Sequence, residues 1–276
     1  MSINGDAESF INDPGRGFLG NLAPSSVPHY AYRGREQFLN DFDHEFNNEY
    51  FLLTGVEKHI FDSQFFEPEH GPFSCWCSYD PKLELLLIKM PESTTHAVAA
   101  HTFHDMLIRA AQPTGMELAL RPLGSGYHHA PMGGKQPNMA WRPRRVPPGR
   151  SQGWPSVVLE VALSERRSKL QSDVRYWLRA PQGDVKTVLT LAIDRNAPKI
   201  TIEKWENNVN GFHHLQQRIV ISKRANNISI TGAPLIINFE NLFLRPPSIP
   251  REQDIEIDDE KLKFLAEDIW NEQGQL

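Results

Sequence analysis

The pattern of hydrophobic and polar positions changes along the chain and predicts an arm followed by a hairpin. The first residues are rich in turn formers and show no sustained period, which predicts an extended or partly ordered arm over residues 1–34. A helix is predicted to begin near Arg35. Two apolar runs, Phe73–Tyr79 and Leu83–Lys89, flank a short turn, and we expect them to pair as a hairpin.

The rest of the pattern predicts a mixed sheet with helices packed on it. Ser93 or Thr94 can cap one helix, the period through Leu170 and Trp177 predicts a second, and residues 261–270 predict an amphipathic final helix. The strand candidates after the first of these helices are residues 116–121, 137–141, 156–163, 185–194, 199–206, 213–221, 227–230 and 234–238. We therefore expect an α/β fold with a mixed central sheet flanked by helices, as one domain over residues 35–276 with an acidic C-terminal segment.

Composition places the chain among ordinary globular proteins. It has 276 residues, of which 39% are hydrophobic, enough for a sizeable core. No run approaches the roughly 18 to 20 apolar residues that span a bilayer, and the start lacks the pattern of a secretory signal. Cys75 and Cys77 lie too close together in the chain for a disulfide framework. We expect an intracellular protein, cytoplasmic or nuclear, that has no membrane partner.

Charge is distributed unevenly along the chain. Residues 1–70 carry twelve acidic and four basic residues, residues 250–276 carry nine and three, and the segment between them has a net charge of +9. No acidic residue lies between Glu117 and Glu160. The basic residues in that interval are Arg121, Lys135, Arg142, Arg144, Arg145 and Arg150. A local positive field can attract phosphate, so DNA or RNA is one predicted partner, and a solvated loop facing the acidic ends is the alternative.

The candidate chemistry lies in this acid-free interval and at its end. Glu160 interrupts the apolar strand candidate SVVLEVAL, and a buried carboxylate is costly unless it is paired, hydrogen-bonded or metal-bound. Asn138 stands at the start of the preceding strand candidate. The run from Arg142 to Arg145, with prolines around it, predicts an exposed extended loop whose arginines can track phosphates.

The residues Gln136-Pro137-Asn138 and Leu159-Glu160-Val161-Ala162-Leu163-Ser164 resemble the motifs of the restriction-endonuclease-like PD-(D/E)XK nuclease superfamily. The resemblance covers roughly residues 85–245. It is greatest to the branch of restriction-endonuclease relatives of unestablished activity and similar single-domain fungal proteins, which have Pro-Asp followed by Glu-Val-x-x-Ser. It implies a restriction-endonuclease-like fold and a nuclease centre in which Asp and Glu bind Mg²⁺ or Mn²⁺ and a lysine activates water.

Two positions depart from that pattern. Asn138 replaces the aspartate, and Ala162 stands where Glu-x-Lys has its lysine. Under the resemblance, the catalytic set would be Glu160 and Asn138, both also metal ligands, with a displaced cation from Lys169 or Arg175. Lys135 is a further displaced cation. The alternative is that Glu160 is satisfied by Arg175 or by a backbone amide in a fold used for binding.

Three hypotheses follow. The first is a degenerate nuclease-like domain, without robust catalysis, that binds nucleic acid or protein, with nucleic-acid contacts from Lys135, Arg142, Arg144, Arg145 and Arg150. The second is an active nuclease that depends on Mg²⁺ or Mn²⁺ and uses a displaced basic residue. The third is an interaction protein that binds a basic protein partner through its acidic termini.

Overall fold

The computed structural model describes residues 27–44, 50–66, 72–89, 93–130, 133–163, 167–179, 184–225 and 227–275. Most of the predicted arm, residues 1–26, lies outside this part of the chain. The remainder of the arm includes a short strand, His29–Ala31. No helix in the described part is both long enough and apolar enough to cross a bilayer.

In the described residues, single strands or runs of strands are separated by single helices. The helices are α1 Arg35–His44, α2 Lys58–Ile60, α3 Thr94–Ala111, α4 Arg167–Arg179, α5 Phe239–Phe243 and α6 Asp259–Glu272. The strands are β1 His29–Ala31, β2 Tyr50–Thr54, β3 Trp76–Asp80, β4 Leu85–Lys89, β5 Leu120–Pro122, β6 His128–Ala130, β7 Gly133–Lys135, β8 Met139–Pro143, β9 Val157–Leu163, β10 Thr187–Ile193, β11 Lys199–Asn207, β12 His213–Arg224, β13 Asn227–Thr231, β14 Leu235–Ile237 and β15 Ile255–Ile257. The predicted α/β class is confirmed.

Local signals in the sequence set several of these boundaries. Ser93 caps α3, since its hydroxyl accepts a hydrogen bond from the His96 N–H. The chain leaves α3 through a 3₁₀ turn that ends at Gly115, where φ is +69°. The strand predicted over residues 116–121 is wrong in its first part, because Glu117–Ala119 forms another 3₁₀ turn and β5 begins only at Leu120.

The described residues form two compact units. The first contains the residues up to 92 together with 127–136, and the second contains residues 93–126 and those from 137 onward. The single domain expected over residues 35–276 stays a prediction. Asn138, Glu160 and Ala162 belong to the second unit, whereas Gln136, the first residue quoted for the motif, belongs to the first.

The first unit is built on a mixed sheet with an aromatic core. Its strand order is β1-β2-β4-β3-β7-β6, in which β1 and β2 are parallel. The predicted hairpin is confirmed, because β3 and β4 pair antiparallel. Phe61 stacks on Tyr79 with ring centroids 3.9 Å apart, and Phe38 and Trp76 are also buried in this cluster. Burial of such large rings stabilises this unit.

The second unit is a larger mixed sheet with helices on both faces. Its strand order is β13-β12-β11-β10-β9-β8-β5, and β9 and β10 are its parallel pair. Helices α3 and α6 pack on one face, where Val157, Leu159 and Val161 of β9 point into the main core. Because side chains alternate along a strand, Glu160 and Ala162 point to the opposite face, which α4 covers. This arrangement confirms the predicted central sheet flanked by helices.

Candidate functional site

The pairing of β8 with β9 brings the two motif positions together. Met139 lies opposite Leu159 in this antiparallel ladder, so Asn138, one residue earlier, lies beside Glu160. The Oδ1 atom of Asn138 accepts a hydrogen bond of 2.7 Å from the Val161 N–H. The amide at the aspartate position therefore fixes the start of β8 against β9.

Glu160 is a buried carboxylate that accepts a hydrogen bond from α4. Its side chain is 4% exposed, and the indole Nε1–H of Trp177 donates to its Oε1 over 2.5 Å. Trp177 is itself fully buried. A buried carboxyl group without a donor is costly, so this bond helps to hold α4 on the sheet.

A polar row crosses the sheet beneath α4. Glu160 neighbours Thr190 on β10, Thr190 lies opposite Glu203 on β11, and Glu203 lies opposite Arg218 on β12. The Arg218 guanidinium donates to Glu203 over 2.8 Å, so this second carboxylate has its own cation. Ala162, where the resemblance puts a lysine, brings no charge to this face.

Two of the three predicted displaced cations, Lys169 and Arg175, lie on α4, whereas Lys135 lies on β7 in the first unit. Lys169 belongs to the first turn of α4, and its side chain lies outside the described part of the structure. Arg175 is half-buried, and burial and the charge of Arg179 lower its pKa. Burial, Arg179 and Arg175 together lower the pKa of His213 to about 4. Arg175 is therefore close enough to His213, the first residue of β12, for its charge to affect that histidine.

On their own, Asn138 and Glu160 offer a divalent metal ion only one anionic ligand group. Mg²⁺ and Mn²⁺ require several oxygen ligands, preferably anionic ones. This pair offers one carboxylate and one neutral amide, and each already accepts a hydrogen bond from the protein. Within the described residues, no group of three or more His, Cys, Asp and Glu side chains is placed to hold a metal ion.

Replacing Asn138 with aspartate is expected to make the stability of the protein depend on divalent metal. In Asn138→Asp, one oxygen can still accept from Val161, and the substitution adds a second carboxyl group beside Glu160. Thermal unfolding with EDTA or with excess Mn²⁺ tests this. At a metal concentration of roughly 100 times the Kd, the free energy of unfolding of the variant should rise by about 2.7 kcal/mol. That of the wild type should not change. Equal stabilisation of both proteins would mean that the existing pair already binds the metal.

The predicted nucleic-acid contacts differ in exposure. Lys135, in the first unit, is 1% exposed and Arg142 is 7% exposed. The expectation of an exposed loop is wrong at Arg142, because β8 extends to Pro143 and pairs Arg142 with Arg121 of β5. Arg150 donates to the backbone oxygen of Asp184 over 2.7 Å and forms an ion pair with its carboxylate.

Arg144 and Arg145 are exposed and line a groove. Its walls come from residues 115–119, from the end of β8 and from the end of α5, and its volume is about 570 Å³. We call it the arginine groove; it is lined by Gly115, Met116, Leu118, Ala119, Pro143, Arg144, Arg145, Phe243 and Arg245. The Arg144 Nε–H donates to the Leu118 carbonyl over 2.7 Å, which leaves its terminal nitrogens available.

The third arginine of the groove, Arg245, already has an anionic partner. It forms a two-point ion pair with Glu252, whose Oε2 also accepts from the Ser248 N–H over 2.6 Å. Glu252 is 6% exposed. Arg245 is thereby held in place with its charge compensated, so the uncompensated positive charge of the groove comes from Arg144 and Arg145.

The Glu252 carboxylate is expected to make stability depend on pH in acid. Hydrogen bonds from Arg245, and then from Ser248, lower its pKa from 4.5 to about 2. A lowered folded-state pKa stabilises the protein above the unfolded value, and this contribution is lost as pH falls from 4.5 towards 2. Urea unfolding at several pH values should show Glu252→Gln less stable than the wild type at neutral pH, with the difference shrinking below pH 4.5. A difference that stays constant would contradict this assignment.

The sequence pattern indicates Asn138 and Glu160 but does not indicate the donor to Glu160 or the arginine groove. The sequence predicts Trp177 only as part of the apolar period of its helix. A buried carboxylate needs a hydrogen-bond donor, and the indole N–H of Trp177 on the following helix can supply it. Arg245 and Leu118 carried no local signal, because only the fold brings the three walls of the groove together.

Comparisons with known proteins identify no family. No protein-family profile matches the chain, and no curated protein matches it significantly. The chain is similar in structure to "a putative nuclease belonging to DUF820" from Anabaena variabilis, with a TM-score of 0.37 and 12% sequence identity. The match covers 73% of this chain and 95% of that chain.

Proposed function

We propose that this protein is a nuclease-like α/β domain that binds nucleic acid and does not cleave it. The observation that carries the proposal is that the side chains of Asn138 and Glu160 both make hydrogen bonds that hold the fold together. The Asn138 amide oxygen accepts from Val161, and the Glu160 carboxylate accepts from Trp177. A cleavage centre would need these oxygens for metal and water.

Charge supports nucleic acid as the ligand. The interval between Glu117 and Glu160 has six basic residues and no acidic ones, and Arg144 and Arg145 lie exposed at its centre. Arginine side chains bind phosphate oxygens through paired N–H groups. The acidic residues of the chain are concentrated in other segments, so the overall charge of −5 does not oppose this local attraction.

A salt titration tests the binding half of the proposal. Affinity for labelled DNA and RNA oligonucleotides should be highest near 50 mM salt and should fall linearly on a log–log plot, by about 0.7 to 0.9 per phosphate contacted. Absence of binding to DNA and RNA at this low salt would refute a nucleic-acid ligand.

The cleavage half is tested with the same oligonucleotides in Mg²⁺, Mn²⁺ or EDTA. We expect the strands to stay intact. Cleavage that requires metal and disappears in Glu160→Ala would establish the active nuclease instead, since Glu160 is the only acidic ligand that the resemblance assigns.

A further inference from the structure

The arginine groove combines exposed positive charge with an exposed apolar side chain. Leu118 is 77% exposed, whereas Phe243 at the groove floor is 2% exposed. Covering an exposed aliphatic side chain with another apolar surface lowers the free energy of the system. A free phosphate or a sulfate could satisfy the arginines but would leave Leu118 uncovered.

The backbone fixes these two features side by side. The Arg144 N–H donates to the Ala119 carbonyl over 2.8 Å, and its Nε–H donates to the Leu118 carbonyl over 2.7 Å. The Arg144 guanidinium therefore keeps its distance from the backbone of Leu118 without a ligand. A complementary molecule needs an anionic group and an apolar group within one residue's length of each other.

An unpaired nucleotide has this combination. Its phosphate can reach Arg144 and Arg145, and the exposed face of its base can lie on Leu118. In a duplex, the base faces are stacked on their neighbours and only the phosphates are presented to such a groove. The groove volume of about 570 Å³ is within the usual range for a site that takes a small molecule or one segment of a chain.

We infer that the arginine groove is a binding site for single-stranded nucleic acid that takes one phosphate together with its unstacked base. This inference rests on the proposed function and narrows its ligand from nucleic acid in general to unpaired strands. Arg144 and Arg145 bind the phosphate, and Leu118 supports the base.

The test compares a single-stranded DNA with its own duplex, by fluorescence anisotropy on the full chain. We expect the single strand to bind about fivefold more tightly, the effect of covering one exposed aliphatic side chain. Leu118→Ser should weaken the single strand about fivefold and leave the duplex unchanged. Val209→Ser is the matched control, because Val209 is fully exposed on the turn between β11 and β12 and should have no effect.

Each outcome separates this inference from the proposed function. Equal affinity for both forms, or a preference for the duplex, overturns the single-strand site while nucleic-acid binding stands. An unchanged Leu118→Ser variant also overturns it. Equally effective competition by a polyglutamate peptide of the same charge would show a general anion site instead. Binding of neither form removes the proposed function itself.

Discussion

Replacing Arg144 and Arg145 together with alanine is expected to weaken single-stranded DNA binding by roughly tenfold to hundredfold at low salt. Both guanidinium groups are exposed in the arginine groove, and Arg145 forms no hydrogen bond or ion pair with any other described residue. Loss of the one phosphate that both arginines bind should also reduce the slope of the log–log salt plot by about 0.7. Anisotropy titrations at several salt concentrations measure both quantities.

The matched control removes two exposed basic residues from another part of the same sheet. Lys199 and Arg224 lie at the start of β11 and the end of β12, and both are exposed. Their double alanine variant has the same net charge as the groove variant. A similar loss of affinity in both variants would mean that general charge attracts the ligand and that the groove has no special role.

Trp177→Phe is expected to destabilise the protein by about 2 to 4 kcal/mol. The change removes the indole N–H that Glu160 accepts, and leaves a cavity beside a carboxylate that is 4% exposed. Urea unfolding followed by circular dichroism measures the loss. Because the effect acts on folding, it should appear without nucleic acid and without metal.

Trp141→Phe is the control for this change, since Trp141 is equally buried and donates to a neutral acceptor. Its Nε1–H donates to Nδ1 of His104 over 2.9 Å, and burial lowers the pKa of that histidine. Trp177→Phe should cost about 1 kcal/mol more, because it takes a donor from buried Glu160, whereas half-buried His104 can accept from water instead. If Trp177→Phe costs less than Trp141→Phe, the bond to Glu160 has no structural role of the kind described.

The sequence was sufficient to predict the central layer of the fold. The apolar run around Glu160 and the helical period through Trp177 each correspond to an element of the second unit, β9 and α4. The pairing of Asn138 with Glu160 could also be predicted, because the nuclease superfamily that the two segments resemble has its motifs on neighbouring strands. The hydrogen bond from Trp177 to Glu160 could not be predicted, since it depends on how α4 crosses the sheet.

Short elements and long-range strand pairing account for the differences between the predicted elements and those of the structure. Tyr50–Thr54 is a five-residue strand with little alternation, and Ile255–Ile257 lies in an acidic run that has no strand signal of its own. Each becomes a strand because a distant partner pairs with it, β4 and β14 respectively. Arg142 is buried for the same reason, since β5 extends the sheet over a segment that resembles a loop in sequence.

The most direct test of the account measures binding and strand integrity in one sample. A labelled single-stranded oligonucleotide is titrated with the protein in Mn²⁺ at low salt, its anisotropy is recorded, and the same samples are run on a denaturing gel. We predict a saturable, salt-sensitive rise in anisotropy with every strand still at full length. Shortened strands that form in Mn²⁺ and not in EDTA would contradict the claim that the protein does not cleave nucleic acid. The absence of a rise in anisotropy would contradict the claim that it binds nucleic acid.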